Sequence, residues 1–342
     1  MKKAATFEER LDIKLREQIK GKKVGFLLGA GASFLSGSGY PLANGLWTAI
    51  KTHVPGEEQR LIDNEIKRNS STLEQALDRL DRGGDEDSTL RYYVTNAIAT
   101  SFSNHTPPLD YHKEFVTRLG TRSEKRIPVF TLNYDPLIEL ATDVEKQPLI
   151  DGFLGTVECY FQPSCFTDYR GTLESRRGRS VPVQTRGIIN LYKLHGSLGW
   201  FRDTESRLKR IRPDMPCPSG WNHLMVPPQN RKAADTGITP YATIWSEFRA
   251  HLANESSRLL NRLVCIGYGL GDGHVNAVIE SALARNHFTL VILAKDLSDD
   301  KFQRWQKSTK IIIVTEKRSS LYGEEGPGLH DAWAFEWLAK EV

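Results

Sequence analysis

The residues with the type and setting for chemistry are glycines, an asparagine, a histidine and two aspartates, each placed where an apolar run stops. Lys23-Val24-Gly25-Phe26-Leu27-Leu28 runs into Gly29-Ala30-Gly31-Ala32-Ser33. Glycines at such a point let the backbone approach a diphosphate, whose charge the start of a following helix would hold. The other reading is a plain tight turn. The third glycine of the dehydrogenase fingerprint is missing, since position 34 is Phe, and no acidic residue ends a following strand at the expected distance. A hydride-transferring dehydrogenase is therefore disfavoured.

Three further run ends carry polar groups. Ile127-Pro128-Val129-Phe130-Thr131-Leu132 delivers Asn133-Tyr134-Asp135-Pro136, and Ile188–Leu194 delivers His195-Gly196-Ser197. Leu263-Val264-Cys265-Ile266 delivers Gly267-Tyr268-Gly269-Leu270-Gly271-Asp272. Strand ends are where an open parallel sheet places its ligand residues. Asn133 is thus either a ligand residue or an ordinary turn Asn, and His195 either a catalytic imidazole or a structural one. Asp135, followed by Pro136, reads as a helix N-cap; Asp272 reads equally as a cap or a ligand residue.

The elements that must position these residues are legible in the spacing. Continuous apolar strands closed by glycine suit a sheet buried on both faces. Strands are expected at 23–28, 127–132, 188–194, 263–267, 289–293 and 310–315, with Leu224–Pro228 a further candidate. Helices are expected at 6–20, 42–53, 112–119, 137–141, 245–260, 275–285 and 299–306. Strands alternating with helices predict an α/β fold with a Rossmann-like, doubly wound parallel sheet. Residues 57–104 show helical spacing only, interrupted at Gly83-Gly84-Asp85, and read as a helical insertion. Stretches 150–187 and 201–240 lack periodicity and read as loop-rich insertions.

A chain of 342 residues exceeds the usual domain, and a single unit over 1–342 carrying these insertions accounts for it. Hydrophobic residues at 39% and charged residues at 26% exclude a disordered or fibrous chain. The net charge of +4 creates no whole-protein field for nucleic acid or membrane. Arg176-Arg177-Gly178-Arg179 and Lys209-Arg210-Ile211-Arg212 are either solvated loop charge or a nucleic-acid contact. The charged N-terminal stretch has no signal-peptide pattern, and no apolar window is long enough to span a membrane. Cys159, Cys165, Cys217 and Cys265 form neither a disulfide framework nor a CxxC pair. A soluble cytoplasmic protein with reduced thiols is expected, without a membrane partner. Trp200, Trp221, Trp245, Trp333 and Trp337 would serve either core packing or an oligomer interface.

Taken in order, GAGAS, TLNYD, LHGS and GYGLGD resemble the strand-end motifs of the sirtuin (silent information regulator) family, over roughly 23–295 without the insertions. The resemblance implies an NAD-binding domain that breaks the nicotinamide–ribose bond. It places Gly29, Ala30, Gly31 and Ser33 at the phosphates, and Asn133 and His195 at the catalytic positions. Asp135 would stand at the nicotinamide ribose, with Gly267, Tyr268, Gly269 and Asp272 on the cofactor. The paired CxxC motifs of the protein-deacylating members are absent, so no zinc module and no metal are expected, and deacylation is disfavoured. Gly39-Tyr40-Pro41-Leu42-Ala43 replaces the acidic-aromatic-arginine run of those members. The chain is most similar in this respect to the sirtuin-like NAD+ hydrolases of bacterial anti-phage systems. That implies depletion of NAD in abortive infection, a homo-oligomer, and partnership with a HerA-type hexameric ATPase or with a short Argonaute complex. The alternative is a non-catalytic NAD- or ADP-ribose-binding sensor or scaffold in a nucleic-acid-processing complex.

Overall fold

Strand periodicity divides the chain into two cores, one on each face of a sheet. The computed structural model describes residues 5–81, 89–156, 158–167, 172–176, 179–183, 187–213, 215–228, 237–253 and 258–342. The Gly83-Gly84-Asp85 interruption and Arg177-Gly178 lie outside them.

The strands in chain order begin with β1 (Val24–Leu28), β2 (Arg126–Thr131) and β3 (Leu149–Ile150). Four short ones follow: β4 (Phe153–Leu154), β5 (Cys159–Phe161), β6 (Thr172–Arg176) and β7 (Arg179–Val183). Then come β8 (Ile188–Lys193), β9 (Gly196–Arg202), β10 (Leu208–Arg210) and β11 (Asn222–Met225). The last five are β12 (Arg262–Ile266), β13 (Thr289–Leu293), β14 (Ile311–Val314), β15 (Arg318–Leu321) and β16 (Glu324–Pro327). The main sheet has the order β16-β15-β14-β13-β12-β1-β2-β8-β3. From β1 the chain steps to β2 and β8 on one side, then crosses to β12, β13 and β14 on the other. The order therefore reverses beside β1, which puts the ligand crevice at its carboxyl end.

The helices are α1 (Phe7–Lys20), α2 (Ala30–Phe34), α3 (Ala43–Ile50), α4 (Gly56–Asn69), α5 (Leu73–Leu80) and α6 (Thr89–Ser103). They continue with α7 (Asp110–Gly120), α8 (Leu137–Val144), α9 (Tyr241–Leu252), α10 (Gly273–Leu283), α11 (Asp299–Gln306) and α12 (Phe335–Glu341). Phe26, Leu28, Val264 and Ile266 turn to one face, against Leu11, Leu15 and Ile19 of α1, Phe115 of α7 and Leu338 of α12. Leu27, Leu263 and Cys265 turn to the other, against Trp245 and Phe248 of α9, Ile279 of α10 and Phe302 of α11. Helices on both faces bury the sheet, as unbroken apolar strands require. A third core joins α3, α4, α5 and α6 to Leu137, Leu198 and Met225, so the helical insertion rests on the strand-end side of the sheet.

The fold class is the one expected, an α/β sheet wound on both sides, with one amendment. Its edge is antiparallel: β15 and β16 form a hairpin on β14. Tyr322 and Gly323, at φ +55° and +98°, make the two-residue turn between Leu321 and Glu324, and two positive φ values suit the twist of a tight hairpin. Arg10 of α1 holds that hairpin through Glu324 at 2.6 and 2.9 Å.

Three expectations are corrected in detail, and one left open is resolved. The helix placed at 245–260 is α9, four residues earlier and ending at Leu252; Leu260 is extended, its amide donating to His251 O at 2.9 Å. Helix α8 starts at Leu137, one residue later than the Asp135-Pro136 signal suggests. Asp135 Oδ1 still accepts the Leu137 amide, at 3.2 Å. The candidate strand Leu224–Pro228 is β11, which stops at Met225 and belongs to a second, antiparallel sheet of order β11-β9-β10-β5-β4. Finally, Trp200 and Trp245 are core residues at 1% exposure, and Trp333 and Trp337 pack against the core beneath α1 and α12. Among the described residues no helix is long and apolar enough to cross a membrane.

Candidate active site

Two glycine turns meet at the carboxyl end of β1 and β12. The Gly29 amide donates to Ile266 O at 2.9 Å, and the Gly31 amide to Gly267 O at 3.0 Å. A β-carbon added at Gly31 would lie 2.6 Å from Gly267 Cα, and one at Gly29 2.5 Å from Gly267 O. Gly267 itself has φ +64°, and a β-carbon there would lie 2.4 Å from the Ala32 nitrogen. These three glycines thus allow one backbone to cross another. The amides of Gly29, Gly31 and Ala32 are spent on protein carbonyls, the last on Gly29 O at 2.9 Å. The wholesale amide cradle for a diphosphate read from GAGAS is therefore not what these amides form here. Gly269, Gly271 and Gly273, by contrast, have no atom within 4 Å of an added β-carbon.

Beside this crossing lies a cavity of about 380 Å³, a size usual for small-molecule sites. Its wall includes Gly29, Ala30, Ser33, Asn133, Asp135, His195, Gly267, Tyr268, Gly269 and Asp272. Of the site residues chosen from the sequence, Gly31 alone stands off that wall, because its place is the backbone crossing.

Asn133 follows β2, where its amide donates to Thr131 Oγ1 at 3.0 Å. Its Nδ2 donates to Gly29 O at 2.9 Å and to Ser33 Oγ at 2.8 Å. A carbonyl can only accept, so the side-chain nitrogen must face Gly29, and Oδ1 is what Asn133 can offer a ligand. Ser33, accepting from Asn133, donates its own hydrogen to the buried Asp135 carboxyl. Burial raises the Asp135 pKa, and the nearby Lys193 ammonium, the Ser33 hydroxyl and the Leu137 amide oppose that rise.

His195 sits in the turn between β8 and β9. Trp245 Nε1 donates to Leu194 O at 3.1 Å, and the Val226 amide donates to His195 O at 2.9 Å, fixing the main chain on both sides. Gly196 has φ +85°, and an added β-carbon there would lie 2.2 Å from Leu224 O, so only glycine permits this turn. The imidazole Nε2 lies 3.1 Å from Asp272 Oδ2. The other carboxylate oxygen of Asp272 caps α10, accepting the His274 and Val275 amides at 2.9 and 3.2 Å. Asp272 is therefore both a helix cap and the partner of His195. Tyr268 is buried, with its hydroxyl 2.9 Å from Asn276 Oδ1 and accepting the Asp272 amide at 3.1 Å; burial keeps its phenol un-ionised.

A match to the model of the SIR2-like domain spans residues 128–314, more than half of the chain. The chain belongs to the SIR2-like family. No match is found among curated proteins. Among solved structures, a mutant Sir2 homologue in complex with ADP-ribose is 17% identical, with TM-score 0.42, over 82% of this chain and 85% of that one. A Sir2 homologue–NAD complex is 16% identical, with TM-score 0.42, over 84% and 83%. A structure described as the basis for the mechanism and regulation of Sir2 enzymes is 14% identical, with TM-score 0.40, over 96% and 95%.

This SIR2-like chain also builds its cavity from residues that were not among the expected site residues, Tyr40 and Pro41 of the Gly39–Ala43 stretch among them. Tyr40, Pro41, Leu46, Glu74 and Phe102 form a wall supplied by the segment after α2 and by the helical insertion. Tyr40 stacks on Phe102 with ring centroids 4.6 Å apart. The insertion is thus part of the site rather than an appendage. Lys301 closes another side, its ammonium 2.6 Å from Gly269 O. The pairing of His195 with Asp272 joins residues 77 apart, and no short motif could have shown it. Among the described residues no three of His, Cys, Asp and Glu gather as metal ligands.

Proposed function

We propose that this SIR2-like chain hydrolyses NAD+ to nicotinamide and ADP-ribose. The observation that carries the reading is the convergence of Asn133, Asp135 and the Asp272-held His195 on one cavity at the reversal point of the sheet. Water adds to the anomeric carbon of the nicotinamide ribose, the N-glycosidic bond breaks, and its electron pair leaves with nicotinamide. The pyridinium charge is thereby neutralised, and one proton from the water is released. His195 serves as general base toward the water or a ribose hydroxyl, with Asp272 orienting its ring. Asn133 Oδ1 orients the ribose hydroxyl or the attacking water, and Asp135 helps position the nicotinamide ribose. The glycine turns, Ala30 and Ser33 flank the diphosphate.

The biological reading follows the resemblance: NAD depletion in anti-phage defence, by a homo-oligomer working with a HerA-type ATPase or a short Argonaute complex in the cytoplasm. Its support is the motif order together with the missing CxxC pairs. Chromatography of NAD, nicotinamide and ADP-ribose after incubation with the purified protein tests the chemistry. Equal amounts of nicotinamide and ADP-ribose are expected from wild type, falling at least ~10²-fold in His195→Ala. Intact NAD with measurable NAD affinity, unchanged on adding the ATPase, would favour the sensor or scaffold reading instead.

A further inference from the structure

Directly beneath the cavity, β8 places a lysine where a strand in a buried sheet ordinarily has an apolar residue. Lys193 is fully buried, at 0% exposure. Its ammonium donates to the main-chain carbonyl of Asp135 at 2.6 Å and to Glu139 Oε1 at 2.6 Å. Glu139 lies on α8, one turn beyond Asp135, and its other oxygen is buried with no hydrogen-bond partner among the described residues. An ammonium buried this completely is costly unless it is paired and hydrogen-bonded. A salt bridge holding the sheet together would need only Glu139; the second hydrogen bond goes to the turn that carries Asn133 and Asp135.

We propose that Lys193 is a positioning residue of the cavity, tying the Asn133–Asp135 turn to Glu139 of α8. The groups facing the Asp135 carboxyl are Lys193 from β8, Ser33 from α2 and Tyr40 from the segment after α2. Glu139 in turn feels Asp151, which is engaged by Arg210 at 2.6 Å. Lys193 is the cation that lowers the pKa of both Asp135 and Glu139 against the effect of burial. Without it each of these buried carboxyls would lose the cation that opposes its burial, and protonation of each would be favoured. Asp135 protonated offers the ribose no negative charge, and its Ser33 contact loses its charge assistance. The catalytic consequence rests on the NAD reading; the carboxyl titration does not.

The experiment therefore has two readouts. Carboxyl 13C NMR of protein labelled at aspartate follows Asp135 directly, with Asp135→Asn giving its assignment. The pH profile of kcat/KM for NAD hydrolysis follows its consequence. In Lys193→Met the Asp135 titration and the acid limb of the profile should both move up by about one pH unit or more. Lys193→Arg should keep both near wild type. An unmoved Asp135 titration in folded Lys193→Met overturns the proposal. Should that variant not fold, Lys193→Gln decides: an upward move of the Asp135 titration supports it, and no move overturns it. A wild type that neither binds nor cleaves NAD would sink the NAD reading, while the NMR titration would still decide the role of Lys193.

Discussion

The two glycine turns look alike in sequence and do opposite work. In Gly29–Ser33 the glycines are filled in: Gly29 and Gly31 lie against Gly267, and the amides of Gly29, Gly31 and Ala32 are bound inside the protein. In Gly267–Gly273 only the first glycine is used this way, and Gly269, Gly271 and Gly273 open on space. The first turn contributes Ser33 to Asp135 and Asn133; the second contributes Asp272 to His195, with Tyr268 beside it. Glycine after a strand therefore marks close backbone approach without saying to what. Here the first turn approaches the second, and the second is left to approach a ligand.

The sharpest way to break this contrast is Gly267→Ala. The added carbon would meet the Ala32 nitrogen at 2.4 Å, against backbone that cannot rotate away, and φ +64° adds the left-handed penalty of roughly 1–2 kcal/mol. A loss of about 3 kcal/mol or more in unfolding free energy is expected, with NAD binding lost too, measured by denaturant titration and calorimetry. A wild-type midpoint would mean that the two turns do not depend on each other. Next in size is Asp272→Asn, which separates the two roles of that residue. Asparagine caps a helix about as well as aspartate, so stability should change by less than ~1 kcal/mol. It cannot supply the anionic partner of His195, so kcat should fall ~10²-fold. Turnover within twofold of wild type would reduce Asp272 to a cap. Ser33→Ala removes one hydrogen bond to a buried carboxyl, and a roughly tenfold loss in kcat/KM is expected.

What the sequence showed of this molecule was what lies in short contiguous stretches. The strands of the parallel sheet were legible because Val24–Leu28, Leu263–Ile266 and Leu290–Leu293 are unbroken apolar runs, and several strand ends carried the polar residues of the cavity. The helical wall was not legible. Leu46 and Phe102 have the spacing of ordinary core residues, and nothing local tells a helix face that lines a cavity from one that fills a core. The hairpin β15–β16 was missed because Arg318-Ser319-Ser320-Leu321 has no apolar alternation and Tyr322-Gly323 is not a usual hairpin dipeptide. Asp272 was seen as a residue but not as the partner of His195, and Lys193 was not singled out, since Glu139 and His195 reach them only through the fold.

The smallest effect tests the open turn. Gly271 has no atom within 4 Å of an added β-carbon, and its φ lies outside the left-handed range, so Gly271→Ala is neither crowded nor strained. Unfolding free energy should stay within about 0.5 kcal/mol of wild type, or rise slightly from the stiffer unfolded chain. Because Gly271 lines the cavity, the new methyl group would project where a bound dinucleotide passes. NAD affinity by calorimetry should therefore fall severalfold while stability does not, the reverse of the pattern expected at Gly267, where the two are lost together. Unchanged affinity and unchanged stability in Gly271→Ala would mean that the second turn is only a link between β12 and α10. The ligand would then have to be held by Asn133, Asp135 and the helical wall instead.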